Sequence, residues 1–365
     1  MNTPRSVDID ITSQCNLRCT YCYHFTSAGD VKTDLPTEAW LAFFEELKQY
    51  AIMDVTLAGG EPLIRKDIKE LISGIVRNKM RFSVLTNGTL LAEDMASFLY
   101  DTGRCNFVQV SIDGSSPAVH DRFRGRGSFA KAVNGIRILK KYHVPVTVRV
   151  TVHPHNVHDL DNISSFLLED LSLPGFSTNA ASCLGLGRKN IENIGLSVNH
   201  RRLAMKTLSG LNRKYTGRIT AQAGPLAEAC HWKEMISARE SGENKIRGGG
   251  FLTGCGCVNH KIAVNADGAI VPCVMLSQIK LGRINQDNFR AIWQNHPDMV
   301  NMRTRTTIPL TDFEFCNRCD YISYCTGNCP GLAYTLTGKV NHPSPDACLK
   351  RFLENGGHVN DFKEI

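Results

Sequence analysis

Cys15, Cys19 and Cys22 stand in C-x₃-C-x₂-C spacing in a chain of 365 residues. Three thiolates on so short a loop can hold three corners of a [4Fe–4S] cube and leave the fourth iron to a ligand that is not protein. An open iron is a reaction site rather than an electron wire alone, because a substrate or cofactor can coordinate there. A structural zinc site asks instead for four protein ligands, commonly as two close pairs. His24 is the nearby side chain that such a reading needs.

The chain holds fourteen cysteines, and they are unevenly placed. Three open the sequence and eight lie between Cys255 and Cys348, with Cys105, Cys183 and Cys230 between the two fields. No export signal precedes them, so metal is expected rather than disulfides. In the second field Cys255, Cys257 and Cys273 come first, then Cys316-x₂-Cys319-x₅-Cys325-x₃-Cys329, then Cys348. Read alone, its C-x₂-C pair also suits zinc. A chain of this length can bury one full domain and a smaller one. The boundaries suggested are 1–180, 181–254 and 255–365. No apolar run approaches the roughly 20 residues that span a bilayer, so a cytoplasmic, membrane-free protein is expected. The formal charge of +7 counts as neutral those cysteines that bind clusters as thiolates. No basic run or aromatic-interleaved patch points to nucleic acid.

The elements that position these groups follow from periodicity. Strands are predicted at Ser6–Thr12, Asp54–Ala58, Phe82–Leu85, Phe107–Ile112, Val144–Val152 and Gly175–Asn179. Helices are predicted at 36–50 (with Thr37 as cap and Trp40, Phe43, Phe44 and Leu47 on one face), 67–78, 93–101, 129–142 and 159–168. Such alternation implies an α/β protein with a parallel sheet, whose function gathers at the carboxyl ends of the strands. Gly59-Gly60-Glu61-Pro62, Thr86-Asn87-Gly88 and Ser111-Ile112-Asp113 all fall at such ends. Further on, 200–215 and 225–239 read as helices. Glu240–Gly250 reads as a flexible loop or boundary, and 264–272 as a hairpin carrying Cys273.

The cysteine loop, preceded by a strand, resembles that of the radical S-adenosylmethionine (radical SAM) enzymes. The resemblance implies a partial (β/α)₆ TIM-like barrel over roughly Val7–Asn179. SAM would chelate the open iron, and its cleavage would give a 5′-deoxyadenosyl radical that removes a hydrogen atom. Gly59, Gly60 and Glu61 look like the element that holds SAM's amino group, although Gly-Gly and Glu-Pro also suit a plain β-turn. Ser111 and Asp113 match the strand end that holds its carboxylate and ribose. Arg124 is the candidate guanidinium partner, with Arg122, Arg126 and Arg149 as rivals. Asn87 is expected to line the same mouth, and Tyr21 to meet the adenine edge.

The second field is similar to the SPASM extension of some radical SAM enzymes, which implies two auxiliary [4Fe–4S] clusters and three in all. Cys316, Cys319, Cys325 and Cys348 would hold one. Cys273 and Cys329 would hold the other with Cys255, Cys257 or both; Cys230 is a further candidate for the fourth ligand. Enzymes with this extension mostly modify ribosomally made peptides. The expectation is therefore a maturase that oxidises a precursor peptide, with a C–C, C–O or thioether cross-link as its product. The chain also looks like the radical SAM/SPASM proteins of SynChlorMet cassettes. An electron donor such as flavodoxin or ferredoxin is implied. Leader recognition is expected from the barrel, from the bridge or from a separate protein, since the barrel begins almost at residue one. The alternatives are a redox-neutral epimerase using Cys105, Cys183 or Cys230 as hydrogen donor, a sulfatase-maturase-like oxidation of Cys or Ser, and a non-catalytic iron–sulfur carrier.

Overall fold

The computed structural model describes residues 3–25 and 33–362. Its strands are β1 (Ser6–Thr12), β2 (Asp54–Gly59), β3 (Arg81–Thr86), β4 (Cys105–Ser111), β5 (Val146–Val152), β6 (Phe176–Ala180), β7 (Ile219–Ala221), β8 (Lys261–Val264), β9 (Ala269–Val271) and β10 (Gly282–Arg283). They form one sheet in the order β10-β9-β8-β1-β2-β3-β4-β5-β6-β7. From β8 through β7 every neighbouring pair is parallel. The β8–β9 hairpin and β10 add antiparallel strands at one edge.

The six predicted strands are all present, their ends shifted by a residue or two. Two additions were not expected. The bridging region contributes β7 beside β6, and the hairpin of the second cysteine field lies along β1, Val7 opposite Ile262 and Ile9 opposite Val264. The sheet therefore runs unbroken across the two suggested boundaries.

Strand alternation sorts the side chains. Val7, Ile9 and Ile11 of β1, Val55 and Leu57 of β2, and Val148, Val150 and Val152 of β5 are buried in one core with the helices. Asp8, Asp10, Ser83, Gln109, Ser111, Arg149 and Thr151 alternate with these apolar positions, on the opposite face. The helices over the core are α1 (Thr37–Gln49), α2 (Ile68–Arg77), α3 (Glu93–Asp101), α5 (Ser128–Lys141) and α6 (Leu160–Ser165), while α4 (Pro117–Arg124) lies against α5 and packs Phe123 into a separate cluster with Tyr21. Trp40, Phe43, Phe44 and Leu47 of α1 are fully buried, each contributing about 1.5–3 kcal/mol or more by leaving water.

Three local readings are corrected. Thr37 does not cap α1: Pro36 holds the cap position, and the Thr37 hydroxyl donates to Asp67 at 2.5 Å. The helix predicted over 159–168 stops at Ser165 and continues as a wider π turn, Phe166–Asp170. Arg124, over which no element was predicted, ends helix α4, whose first position is Pro117.

The bridge contains α7 (Gly185–Lys189), α8 (Ile191–Ile194), α9 (Val198–Lys214) and α10 (Pro225–Glu240). The glycine run after it is docked rather than a free linker. Gly250 N–H donates to the Cys325 carbonyl at 2.9 Å, and a Cβ on Gly249 would lie 2.1 Å from the Ser323 carbonyl oxygen. Among the described residues no helix is long and apolar enough to cross a membrane.

Candidate active site and auxiliary cysteine centres

β1 ends directly in the first cysteine loop, and the turn after β2 fixes where that loop sits. Gly60 N–H donates to the Thr12 carbonyl at 2.9 Å and Glu61 N–H to the Gln14 carbonyl at 2.8 Å. Gly59 has φ +112°, and a Cβ on Gly60 would stand 2.1 Å from the Gln14 carbonyl oxygen. The glycines thus let two backbones touch immediately before Cys15. The Glu61 carboxylate is fully buried and receives Thr86 Oγ1 at 2.7 Å, Asn87 N–H at 2.7 Å and Leu63 N–H at 3.1 Å. Burial pushes its pKa up, against the lowering effect of those donors. Glu61 therefore ties the ends of β2 and β3 together. Asn87 Nδ2 reaches Asn16 Oδ1 at 2.9 Å and the Cys15 sulfur at 3.9 Å, which brings the β3 end onto the cysteine loop.

The third cysteine-loop neighbour is a buried polar knot. Asp113 accepts from the Tyr21 hydroxyl, from Arg124 Nε and from Thr151 N–H, the last at 2.7 Å. Burial works against its charge, but Arg124 and these bonds hold its carboxyl below the usual range. Arg124 is buried at the end of α4, and its guanidinium lies 5.4 Å from the Tyr21 ring centroid. Its Nη atoms have no hydrogen-bond partner among the described residues. The rival arginines differ: Arg122 and Arg126 are exposed, and Arg149 binds Gln109 at 3.3 Å. Ser111 is half-buried at the β4 end, in register with Arg149. His153, just beyond β5, is fully buried against Phe123 at 4.3 Å and Tyr21 at 5.7 Å.

Burial pushes the Cys19 thiol up to about 12, although Arg124 pulls it down, and Cys15 and Cys22 are raised as well, again chiefly by burial. The charges of these thiols also oppose one another. Such a set ionises readily only around cations of its own, and an iron–sulfur cube supplies them. Among the described residues no group of three or more His, Cys, Asp or Glu is arranged to hold a single metal ion. A cube spaces its ligands more widely than one ion does.

The second field divides into two groups. Cys316, Cys319, Cys325 and Cys348 line one small hollow with Leu310, Phe315 and Ile322. Each of the other three acts electrostatically on Cys316, whose thiol burial pushes up to about 12. Cys255, Cys257, Cys273 and Cys329 form the other group, with Cys257 feeling the charge of all three partners. Cys255 and Cys257 interact through their thiols, which draws one of the pair down and raises the other. Cys230 lies outside this group, exposed on α10. Cys105 and Cys183 are half-buried elsewhere.

A cavity of about 470 Å³ separates the first loop from the group around Cys273. Tyr23 and His24 follow Cys22 on one wall; Val274 and Met275 follow Cys273 on the other. Asp10 projects from β1 into it, its Oδ2 3.4 Å from His24 Nδ1 and its buried Oδ1 without a hydrogen-bond partner among the described residues. Arg188 and Lys189 of α7 line it too. Helix α7 is pinned to the cysteine loop, since Leu186 N–H donates to the carbonyls of Cys22 at 2.9 Å and Phe25 at 2.6 Å. Sequence reasoning missed Asp10; its signal was a pair of acids, Asp8 and Asp10, alternating with Val7, Ile9 and Ile11.

Residues 9–167 match the radical SAM superfamily, and residues 255–320 match the SPASM iron–sulfur cluster-binding domain. The chain therefore carries a radical SAM domain followed by a SPASM domain and is an enzyme of that class. It is 28% identical to Fe-coproporphyrin III synthase of Methanosarcina barkeri (strain Fusaro / DSM 804), over 94% of this chain and 87% of that protein. It is 27% identical to the sporulation killing factor maturation protein SkfB of Bacillus subtilis (strain 168), over 79% of this chain and 64% of that one. The fold is similar to Streptococcus suis SuiB bound to precursor peptide SuiA, with a TM-score of 0.71 at 15% identity, covering 96% of this chain and 76% of that one.

Proposed function

We propose that this enzyme oxidises a side-chain or backbone carbon of a ribosomally made precursor peptide, closing a C–C, C–O or thioether cross-link. The observation that carries the reading is the cavity lying between the Cys15–Cys22 loop and the Cys273 group. SAM on a [4Fe–4S] cube at Cys15, Cys19 and Cys22 supplies hydrogen-atom abstraction when bound. Auxiliary cubes held by Cys255, Cys257, Cys273 and Cys329, and by Cys316, Cys319, Cys325 and Cys348, supply electron acceptance.

The chain's own residues do the positioning. The backbone of Gly59 and Gly60 offers the close approach that SAM's amino group needs, with Glu61 fixing that turn. Arg124, oriented by Asp113 through Nε, keeps Nη free for a carboxylate. Tyr21 is held by the same Asp113, leaving its ring to border the adenine. Asn87 and Ser111 line the mouth. In the cavity Asp10 Oδ1 asks for an N–H or O–H donor, which a peptide backbone provides. The names of SkfB and SuiB's partner SuiA support a peptide. A flavodoxin or ferredoxin as electron source and a separate leader-recognition protein belong to the same proposal.

A second reading is a carboxylate-bearing tetrapyrrole. The match to AdoMet-dependent heme synthase of Methanosarcina barkeri, 25% identical over 96% of this chain and 97% of that protein, favours it, with Arg188 and Lys189 on the cavity wall to receive carboxylates. Anaerobic incubation of the reconstituted enzyme with SAM and reductant, against precursor peptides encoded beside its gene and against iron coproporphyrin, separates the two by mass. A peptide lighter by about two hydrogens upholds the proposal. Loss of carbon dioxide from the tetrapyrrole, with all peptides unchanged, refutes it. An isomerised peptide of unchanged mass indicates epimerisation instead.

A further inference from the structure

Arg305 lies in the short segment Thr304–Thr307, eleven positions before the nearest cysteine in sequence, yet solvent does not reach it. Its guanidinium is spread over three backbone carbonyls. Nε donates to Thr253 at 3.1 Å, Nη1 to Val340, and Nη2 to Asn328 at 3.4 Å. Thr253 stands two residues before Cys255, and Asn328 immediately precedes Cys329. One side chain thus joins the two segments that deliver those cysteines. No aspartate or glutamate is among the charges acting on it; the charges that do are Cys329, Cys255 and Cys257. A buried guanidinium with carbonyl partners alone is costly unless an anion compensates it. A cluster held by Cys255, Cys257, Cys273 and Cys329 would bring that anion as its thiolates.

We propose that Arg305 is the counter-charge of the first auxiliary centre: it clamps the Cys255–Cys257 and Cys329 segments together and raises the reduction potential of an iron–sulfur cluster bound there. A fixed positive charge favours the reduced, more negative cluster, and net charge and hydrogen bonding are among the protein's levers on such potentials. The inference rests on the proposed assignment of an iron–sulfur cube to Cys255, Cys257, Cys273 and Cys329.

The test is an EPR-monitored redox titration, with iron analysis, of full-length protein carrying Cys15, Cys19 and Cys22→Ala, so that the auxiliary signals stand alone. Arg305→Gln and Arg305→Lys are compared in that background. The expected result is two titrating components. In Arg305→Gln one of them moves to lower potential while the other stays; in Arg305→Lys both remain near their starting values. If Arg305→Gln instead loses about four irons and Arg305→Lys keeps them, the counter-charge is upheld as a requirement for assembly. Unshifted components with full iron in Arg305→Gln overturn the proposal, as does equal displacement or equal iron loss in both variants. A parent protein with a single titrating component overturns the cluster assignment beneath it, which is a different failure.

Discussion

At the scale of residues, the site depends on contacts that leave no room for substitution. Gly60→Ala forces a Cβ to within 2.1 Å of the Gln14 carbonyl, one residue from the first ligand. The variant is expected to fold but to bind about four fewer irons after reconstitution, measured against protein by colorimetric iron analysis; full iron loading contradicts the role given to this contact. Asp113→Asn removes the charge that holds Arg124 and Tyr21. It is expected to weaken SAM binding at least about tenfold, consistent with loss of about 1.4 kcal/mol or more of charge-assisted bonding. Calorimetric titration of SAM into the reconstituted protein reads this directly, and unchanged affinity counts against it. The cysteines and the Gly-Gly-Glu-Pro and Ser-Ile-Asp elements were legible because their chemistry demands fixed types at fixed spacings. Asp10 and Arg305 were not. Each acquires its meaning from partners far along the chain: β1 had to be seen facing α7 and Met275, and Arg305 wedged between residues 253 and 328.

At the scale of elements, the parallel strands declared themselves through β-branched runs and the helices through their apolar stripes. What was missed had weak local signals. Helix α4 has a charged composition, and β7 is only three residues long; β7 is fixed by pairing with β6, and α4 by its seat against α5 and the packing of Phe123 with Tyr21 and Ile194. The segment after β5 carries a titratable consequence. Burial draws His153 down to about 4, with nearby charges acting in both directions, and His120 likewise on the α4 side of Asp113. Unfolding restores an ordinary value near 6.5, so between about pH 4 and 6.5 the unfolded chain binds more protons than the folded one. Stability therefore rises with pH across that window and is lost on acidification. The denaturant midpoint is expected to fall between pH 7 and pH 5, and to fall less in His153→Phe, which keeps the stack on Phe123. Parallel pH profiles for the two proteins contradict this.

At the scale of the whole molecule, the radical SAM body and the cysteine-rich extension share one sheet. β8 covers the edge of β1 through four residue pairs, Ser6–Lys261 to Ile9–Val264. Sequence suggested separate regions because its cysteine spacing and its glycine run mark 255 as a beginning; strand pairing between residues some 250 apart is invisible to local pattern. A chain ending at residue 254 bares the edge strand that leads into the catalytic loop, and exposed edges invite aggregation. Such a truncation is expected to elute as aggregate on size-exclusion chromatography; a stable monomer contradicts the shared-sheet account.

The measurement that bears most directly on the central claim is iron, sulfide and zinc per chain after anaerobic reconstitution, for wild type and for the Cys15/Cys19/Cys22→Ala variant. One catalytic and two auxiliary cubes predict about twelve irons falling to about eight, with matching sulfide and no zinc. About four irons falling to none, with zinc retained, contradicts the account: the second cysteine field is then structural, and the cavity has no electron acceptor on its far wall.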